Sequence, residues 1–190
     1  MEKAFTIIKG CKDGYPKYQK IFYERYRGAA LKIVFRYIYN YEEALEIVND
    51  GFVKFFKNID KFRCENDTDL EKVLNGWIKR IMINTSIDLL RKKMLLPEIG
   101  GIPEYVWNVE DKSSSPDQAM IYKDLMIMVK QLPPVYRIVF NMHVIDGYTH
   151  IEIADILKMP VGTSKSNLQR AKLLMQNYLN QREELNECRI

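Results

Sequence analysis

The chain has 190 residues, enough for one large domain or two small ones. Hydrophobic residues make up 47% and charged residues 28%, which excludes a disordered tail and leaves enough apolar material for a core. The formal net charge of +4 permits a nucleic-acid partner without requiring one.

From Lys17 to Lys57 the pattern is helical. Tyr18, Ile21, Phe22, Tyr26, Ala29, Ala30 and Ile33 recur at three- and four-residue steps. A second helical run follows Tyr41 with Ala44, Ile47, Val48, Phe52, Phe55 and Phe56. Residues 60–69 read as a loop, broken by Asn66, Asp67 and Thr68. A third helix is expected from about Leu70 to Met94. Its inward face carries Ile78, Ile81, Met82, Thr85 and Leu89. Arg80, Asn84, Asp88 and Arg91 share another face.

Residues 95–118 change character. Pro97, Gly100, Gly101, Pro103, Pro116 and Ser113 to Ser115 mark an acidic linker, with Glu98, Glu104, Glu110, Asp111 and Asp117 against Lys112 alone. Helical periodicity returns at Ala119 with Met120, Leu125, Met128, Val129 and Leu132. Pro133 and Pro134 suit the first turn of a new helix carrying Val135, Val139, Phe140 and Val144, which Asp146-Gly147 ends. Two helices follow, at roughly 149–158 and 161–180. Thr149 and Glu152 stand at capping-box spacing. No strand alternation and no internal repeat occurs, so the expected class is all-α: two small helical domains, 1–94 and 119–190, joined by the linker.

The last two helices are the most informative. Ile151, Ala154 and Leu157 give the first an inner face; Val161, Ser164, Leu168, Ala171 and Met175 do so for the second. Met159-Pro160 breaks the chain between them. This is the layout of a helix-turn-helix, whose second helix can enter the major groove. Thr163, Ser166, Asn167 and Arg170 are expected to point away from the apolar stripe, flanked by Lys165, Gln169 and Lys172. From Ile156 to Arg182 there is no carboxylate, while Lys158, Lys165, Arg170, Lys172 and Arg182 are basic. A helix that approaches phosphates cannot carry acids on the same face, and hydroxyls, amides and Arg can bond phosphates or base edges. An ordinary hairpin with a solvated basic face is the competing reading.

Cys11, Cys64 and Cys188 are too far apart for a metal knuckle, and their odd number argues against a disulfide framework. Free thiols in a reducing cytoplasm are expected. No signal-peptide pattern follows Met1, and no run of about 18 apolar residues occurs, so membrane insertion is not expected.

Leu132-Pro133-Pro134, Val139-Phe140, Asp146 to Thr149, Glu152-Ile153-Ala154, Pro160 to Ser166 and Arg170-Ala171 together resemble the C-terminal domain of extracytoplasmic-function sigma factors of the sigma-70 family. In that family this domain binds the −35 promoter element, which implies the role for Thr163, Lys165, Ser166, Asn167, Gln169, Arg170 and Lys172. Asn167 stands where a basic residue is more usual. His150 stands where the family mostly has Tyr, Glu or another polar residue.

Ala44 to Phe52 is similar to the family segment that docks on the largest polymerase subunit, which implies contacts from Glu46, Asn49, Asp50 and Phe52. Trp77 to Ile81 and Asn84 to Arg91 look like the segment that recognises the −10 element. The resemblance implies that Asn84 captures an unstacked base, with Phe62 and the loop 63–75 as wall. Asp88 lies in the same segment, and Arg80, Arg91, Lys92 and Lys93 would meet phosphates. Capturing a base costs a few kcal/mol of lost stacking, so polar edges and apolar walls must offset it. The loop is longer than is typical of the family. The implied partners are core RNA polymerase, promoter DNA and an anti-sigma factor, which could be membrane-anchored. The acidic linker would thread the polymerase's RNA channel.

Two rival readings remain. A one-component helix-turn-helix regulator shares the C-terminal pattern but leaves the Ala44–Phe52 and Trp77–Lys93 segments unexplained. A small metal-dependent hydrolase built on His150, Glu152 and Asp155 has little to work with. The chain has two histidines, His143 and His150, and lacks an HExxH motif, paired cysteines and a glycine-rich phosphate loop. No catalytic residue, metal or cofactor is expected.

Overall fold

The computed structural model describes residues 4–64, 69–92 and 116–187, with side chains described for 120–181 of the last stretch. Lys93, most of the expected linker (95–115) and Cys188 lie outside these residues. The chain divides into two compact units. In the first are α1 (Ala4–Lys12), α2 (Pro16–Phe35), α3 (Tyr41–Lys57), a 3-10 turn (Ile59–Lys61) and α4 (Leu70–Lys92). In the second are α5 (Pro116–Gln131), α6 (Pro134–Phe140) continued by a π-helical turn (Asn141–Ile145), α7 (His150–Leu157) and α8 (Val161–Glu187). Among the described residues there is no strand, as the periodicity implied.

Local chemistry accounts for the ends of the helices. Pro16 opens α2, where its missing N–H has no intrahelical partner to lose. Asn40 caps α3 by accepting a hydrogen bond from the Glu43 amide at 3.1 Å. Glu42 and Glu43 in the first turn of α3 and Lys54 and Lys57 in its last both suit the helix dipole.

The first unit is held by an aromatic core. Phe22 stacks on Phe55 with centroids 4.5 Å apart, and Phe55 meets Trp77 of α4 at 4.7 Å. Burying each such ring contributes about 1.5–3 kcal/mol. Gly51 lets α3 approach α4, because a Cβ there would sit 2.5 Å from the Met82 sulfur. The short helix α1 is not foreseen by the periodicity. It buries Ile7, Ile8 and Cys11, and Lys12 Nζ donates to the Phe62 carbonyl at 3.0 Å. Burial pushes the Cys11 thiol up to about 11. Cys11 and Cys64 are free thiols.

The second unit buries Met126 and Val129 of α5 and Leu132 just after it, together with Ile138, Val139 and Met142, and with Leu168, Ala171 and Met175 of α8. Here the expected faces need correction. Helix α5 starts at Pro116 rather than Ala119, and Met120 is exposed. On α7 the buried pair is Ile153 and Ala154, while Ile151 is 73% exposed. The inner stripe runs through positions 150, 153, 154 and 157, so His150 occupies the inward position assigned to Ile151. Val161 is likewise exposed at the start of α8, and Ser164 is the first buried residue of that helix.

Candidate nucleic-acid interface

The turn between α7 and α8 is built by three local devices. Thr149 Oγ1 accepts from the Glu152 amide at 3.2 Å, and the Glu152 carboxylate accepts from the Thr149 amide at 2.9 Å, which completes the capping box. Lys158 ends α7 in the left-handed region at φ 54°, and the Met159 amide bonds back to the Ala154 carbonyl at 3.0 Å. Pro160 then delivers the chain into α8.

On α8, Thr163, Lys165, Ser166, Gln169, Arg170 and Lys172 are all exposed. Ser166 Oγ donates to the Thr163 carbonyl at 3.0 Å, and Arg170 Nη1 donates to the Tyr136 hydroxyl at 3.3 Å. Tyr136 therefore steadies the arginine from α6, a partner that sequence spacing does not reveal. Asn167 is a correction: it is buried beside Leu168 and cannot present its amide to a groove from that position. The residue lies three positions after Ser164 and four before Ala171, which places it on the buried stripe of a helix with 3.6 residues per turn.

In the first unit, Arg80, Asp88, Arg91 and Lys92 are exposed along α4. Asp88 is shared between Lys54, at 3.6 Å, and Arg91, at 4.0 Å. Beside this stripe lies a recess of about 330 Å³ lined by Lys54, Asn58, Lys61, Trp77, Asn84 and Thr85. Its polar wall is largely paired. Lys54 Nζ donates to Thr85 Oγ1 at 3.2 Å, Asn58 Nδ2 to the Lys54 carbonyl at 2.9 Å, and Lys61 Nζ to Asn58 Oδ1 at 2.8 Å. Asn84 Oδ1 is buried without a hydrogen-bond partner. An unmet buried acceptor costs about 1–3 kcal/mol, which a ligand carrying an N–H donor would offset. Lys54, Asn58 and Lys61 were not singled out from the sequence, because they come from α3, its C-cap and the 3-10 turn rather than from α4.

Phe62 is buried, stacked on Trp77, and also lines a second recess with Arg63, Gly76 and Arg80. Part of the loop 63–75, namely 65–68, lies outside the described residues. On α3, Glu46, Asn49 and Asp50 are exposed on one face, and Asn49 Oδ1 accepts from the Tyr23 hydroxyl at 2.8 Å. Phe52 is a correction: it is buried against Phe22 and Tyr23, so it supports that face from beneath and is not part of its surface.

No described helix is long and apolar enough to cross a membrane. Among the described residues, no group of three or more His, Cys, Asp or Glu is placed to hold a metal ion.

Residues 22–95 match the family Sigma-70 region 2, and residues 123–175 match Sigma-70, region 4. The chain is 30% identical to the ECF RNA polymerase sigma factor SigW of Bacillus subtilis over 165 residues, covering 81% of this chain and 84% of that protein. It is 24% identical to the ECF RNA polymerase sigma-E factor of Escherichia coli K12 over 182 residues, 90% of this chain and 92% of the relative. Among solved structures, CnrH in complex with the cytosolic domain of CnrY aligns with a TM-score of 0.49 at 16% identity, over 94% of this chain and 98% of that one. The chain belongs to the extracytoplasmic-function sigma factors of the sigma-70 family, which direct RNA polymerase to start transcription at promoter DNA.

Proposed function

We propose that the two units divide promoter recognition between them. Helix α8 reads the −35 duplex through Thr163, Lys165, Ser166, Gln169, Arg170 and Lys172. The observation that carries this reading is that these side chains are exposed together on one helix, with carboxylates absent from the chain over 156–182. Phosphate contacts from Lys165 and Lys172 would set register. The hydroxyls, Gln169 and Arg170 are suited to base edges.

The recess at Asn84 takes a base of the −10 element turned out of its stack. Trp77 supplies an apolar wall, and the unmet Asn84 oxygen supplies a polar edge. Arg80, Arg91 and Lys92 hold the neighbouring phosphates, and Lys54 and Lys61 add positive charge at the rim. Glu46, Asn49 and Asp50 dock on the polymerase. The protein acts in the cytoplasm, performs no catalysis of its own, and is held in check by an anti-sigma factor.

The test is reconstitution. The purified chain is mixed with bacterial core RNA polymerase and run through size exclusion, and the complex is used for run-off transcription on a genomic promoter library. Co-elution and new start sites are expected, with −10 and −35 sequences read from the products. Failure to bind core, together with tight binding of the free chain to a palindromic site, overturns the reading in favour of a self-sufficient regulator.

A further inference from the structure

Gly76 stands inside the 23-residue helix α4. Glycine weakens a helix interior relative to alanine, so its presence there needs a reason. Packing supplies one at Gly51, where a Cβ would meet the Met82 sulfur at 2.5 Å. At Gly76 an added Cβ would meet nothing within 4 Å. The backbone there is ordinary helix, so no left-handed turn calls for glycine either. What the missing side chain leaves is space. Gly76 lines the second recess, of about 370 Å³.

That recess has a cationic rim. Lys61, Arg63 and Arg80 line it with Val73, Phe62 and Trp77, and no carboxylate among the described residues does so. Val73, Gly76 and Arg80 follow each other at steps of three and four residues, so they share one face of α4. Arg63 spends Nη1 on the Asp60 and Phe62 carbonyls, the latter at 3.1 Å. This anchors the guanidinium and leaves its Nε and Nη2 donors. Lys61 Nζ gives one N–H to Asn58 and keeps the others. Glu71, in the first turn of α4, is held by Arg25 and by Tyr26, whose hydroxyl donates to it at 2.9 Å.

Such a rim suits a phosphate. A base would be poorly served. Phe62 is buried, and Trp77 has one face on Phe62 and meets Phe55 at 4.7 Å. Unstacked bases bind on open aromatic faces, and here those faces are taken. The recess also abuts the one at Asn84, because Trp77 and Lys61 line both. A strand with a base in the Asn84 recess carries its backbone along this shared wall.

We propose that the recess at Gly76 is a second subsite for promoter DNA, one that holds backbone and not base. The deoxyribose of the nucleotide adjoining the captured base rests on Gly76, and its phosphate is held by Arg63, Arg80 and Lys61. This rests on the reading of the Asn84 recess as the site of base capture. A contact to sugar and phosphate is indifferent to the base at that nucleotide.

The test uses the complex with core RNA polymerase on a promoter carrying a pre-opened bubble. An abasic scan locates the captured base as the position whose loss weakens the native complex but not that of Asn84→Ala. Gly76→Ala and Gly76→Met both favour helix over glycine, so both should unfold at higher urea than the native chain. Gly76→Ala should bind the bubble as the native chain does. Gly76→Met fills the recess and should weaken binding roughly tenfold, the equivalent of one charge-assisted hydrogen bond. Neutral methylphosphonates placed one at a time should find one linkage beside the captured base that weakens native binding and has no further effect on Gly76→Met. Arg80→Ala, which leaves the recess open, should abolish the effect of the same linkage. Changing the base at that nucleotide should alter none of these results. If Gly76→Met binds like the native chain, or no linkage beside the captured base depends on Gly76 and Arg80, the subsite is overturned while base capture stands. If no abasic position behaves as expected with Asn84→Ala, base capture falls and the subsite with it.

Discussion

The Phe62 ring lies on the Trp77 indole with centroids 5.3 Å apart and planes 24° apart, joining the end of the 3-10 turn to the middle of α4. Trp77 thereby has one side on Phe62 and lines the Asn84 recess as well. Replacing Phe62 by Ala should cost about 3 kcal/mol in the first unit, from lost burial and the cavity left behind. Urea unfolding followed by tryptophan fluorescence in a Trp107→Phe background, where Trp77 is the sole tryptophan, measures it. A change under half of that would mean the stack is a loose surface contact.

Asn84 should show a trade between stability and function. Its buried Oδ1 has no partner, so Asn84→Ala should leave stability unchanged or raise it by about 1 kcal/mol. Run-off transcription from the same promoter should fall at least tenfold if the recess captures a base. Thermal melting and run-off assays on the one variant separate the two effects.

Gly51 is the close approach between α3 and α4. Gly51→Val would drive methyl groups into the fully buried Met82 side chain and should destabilise the first unit by about 2–3 kcal/mol. Gly51→Ala should lose less, because the helix propensity gained offsets part of the crowding by about 1 kcal/mol. Equal and near-zero effects would show that Met82 can swing clear.

Lys158 holds a left-handed backbone at φ 54° in the helix-turn-helix turn. Glycine takes that conformation freely, so Lys158→Gly should stabilise the second unit by roughly 0.5–1 kcal/mol. The ion pair it removes, with Asp155, is exposed on both sides and worth little. Chemical unfolding of the variant decides the matter; destabilisation would assign the lysine a packing role.

Acid should weaken the second unit through His150. Its folded state resists protonation, whereas the unfolded chain accepts a proton near the ordinary value of 6.5. As pH falls below about 6.5 the unfolded chain binds more protons, so stability declines until the folded histidine titrates in turn. Above that pH the contribution is flat. Melting temperatures from pH 8 to 5 should show this slope, and His150→Gln should reduce it.

Much of this fold was legible in residue spacing, and the misses have physical causes. The helices α2, α3 and α4 announce themselves through long apolar stripes, and α7 and α8 through a capping box and Pro160. Helix α1 is 9 residues long and depends on packing more than on pattern, so its periodicity is too short to stand out. On α7, periodicity places an inner face to within one residue; a polar His150 inside and an apolar Ile151 outside invert the simple assumption. Asn167 was misplaced because its polar type suggested a surface role where helix phase dictates burial; Phe52 was given a docking role by family resemblance, although the apolar spacing of α3 already put it in the core. The recess at Asn84 needed α3, the 3-10 turn and α4 brought together, which no local spacing encodes.

The π-helical turn has a consequence for chain length. An α-helix closes each bond over four residues, but here the Asp146 amide reaches the Asn141 carbonyl, five residues back, at 2.9 Å. Such a turn holds one more residue than an α-helical turn spanning the same distance. A relative whose helix runs on regularly to the Gly147 corner should therefore align with a one-residue gap between 141 and 146. The extra residue rotates everything after it by about 100° around the helix axis, the angular step of one α-helical residue. Whether a sigma factor of this kind has a ring at position 143 facing its helix-turn-helix, or facing water, then becomes a matter of counting residues in one turn.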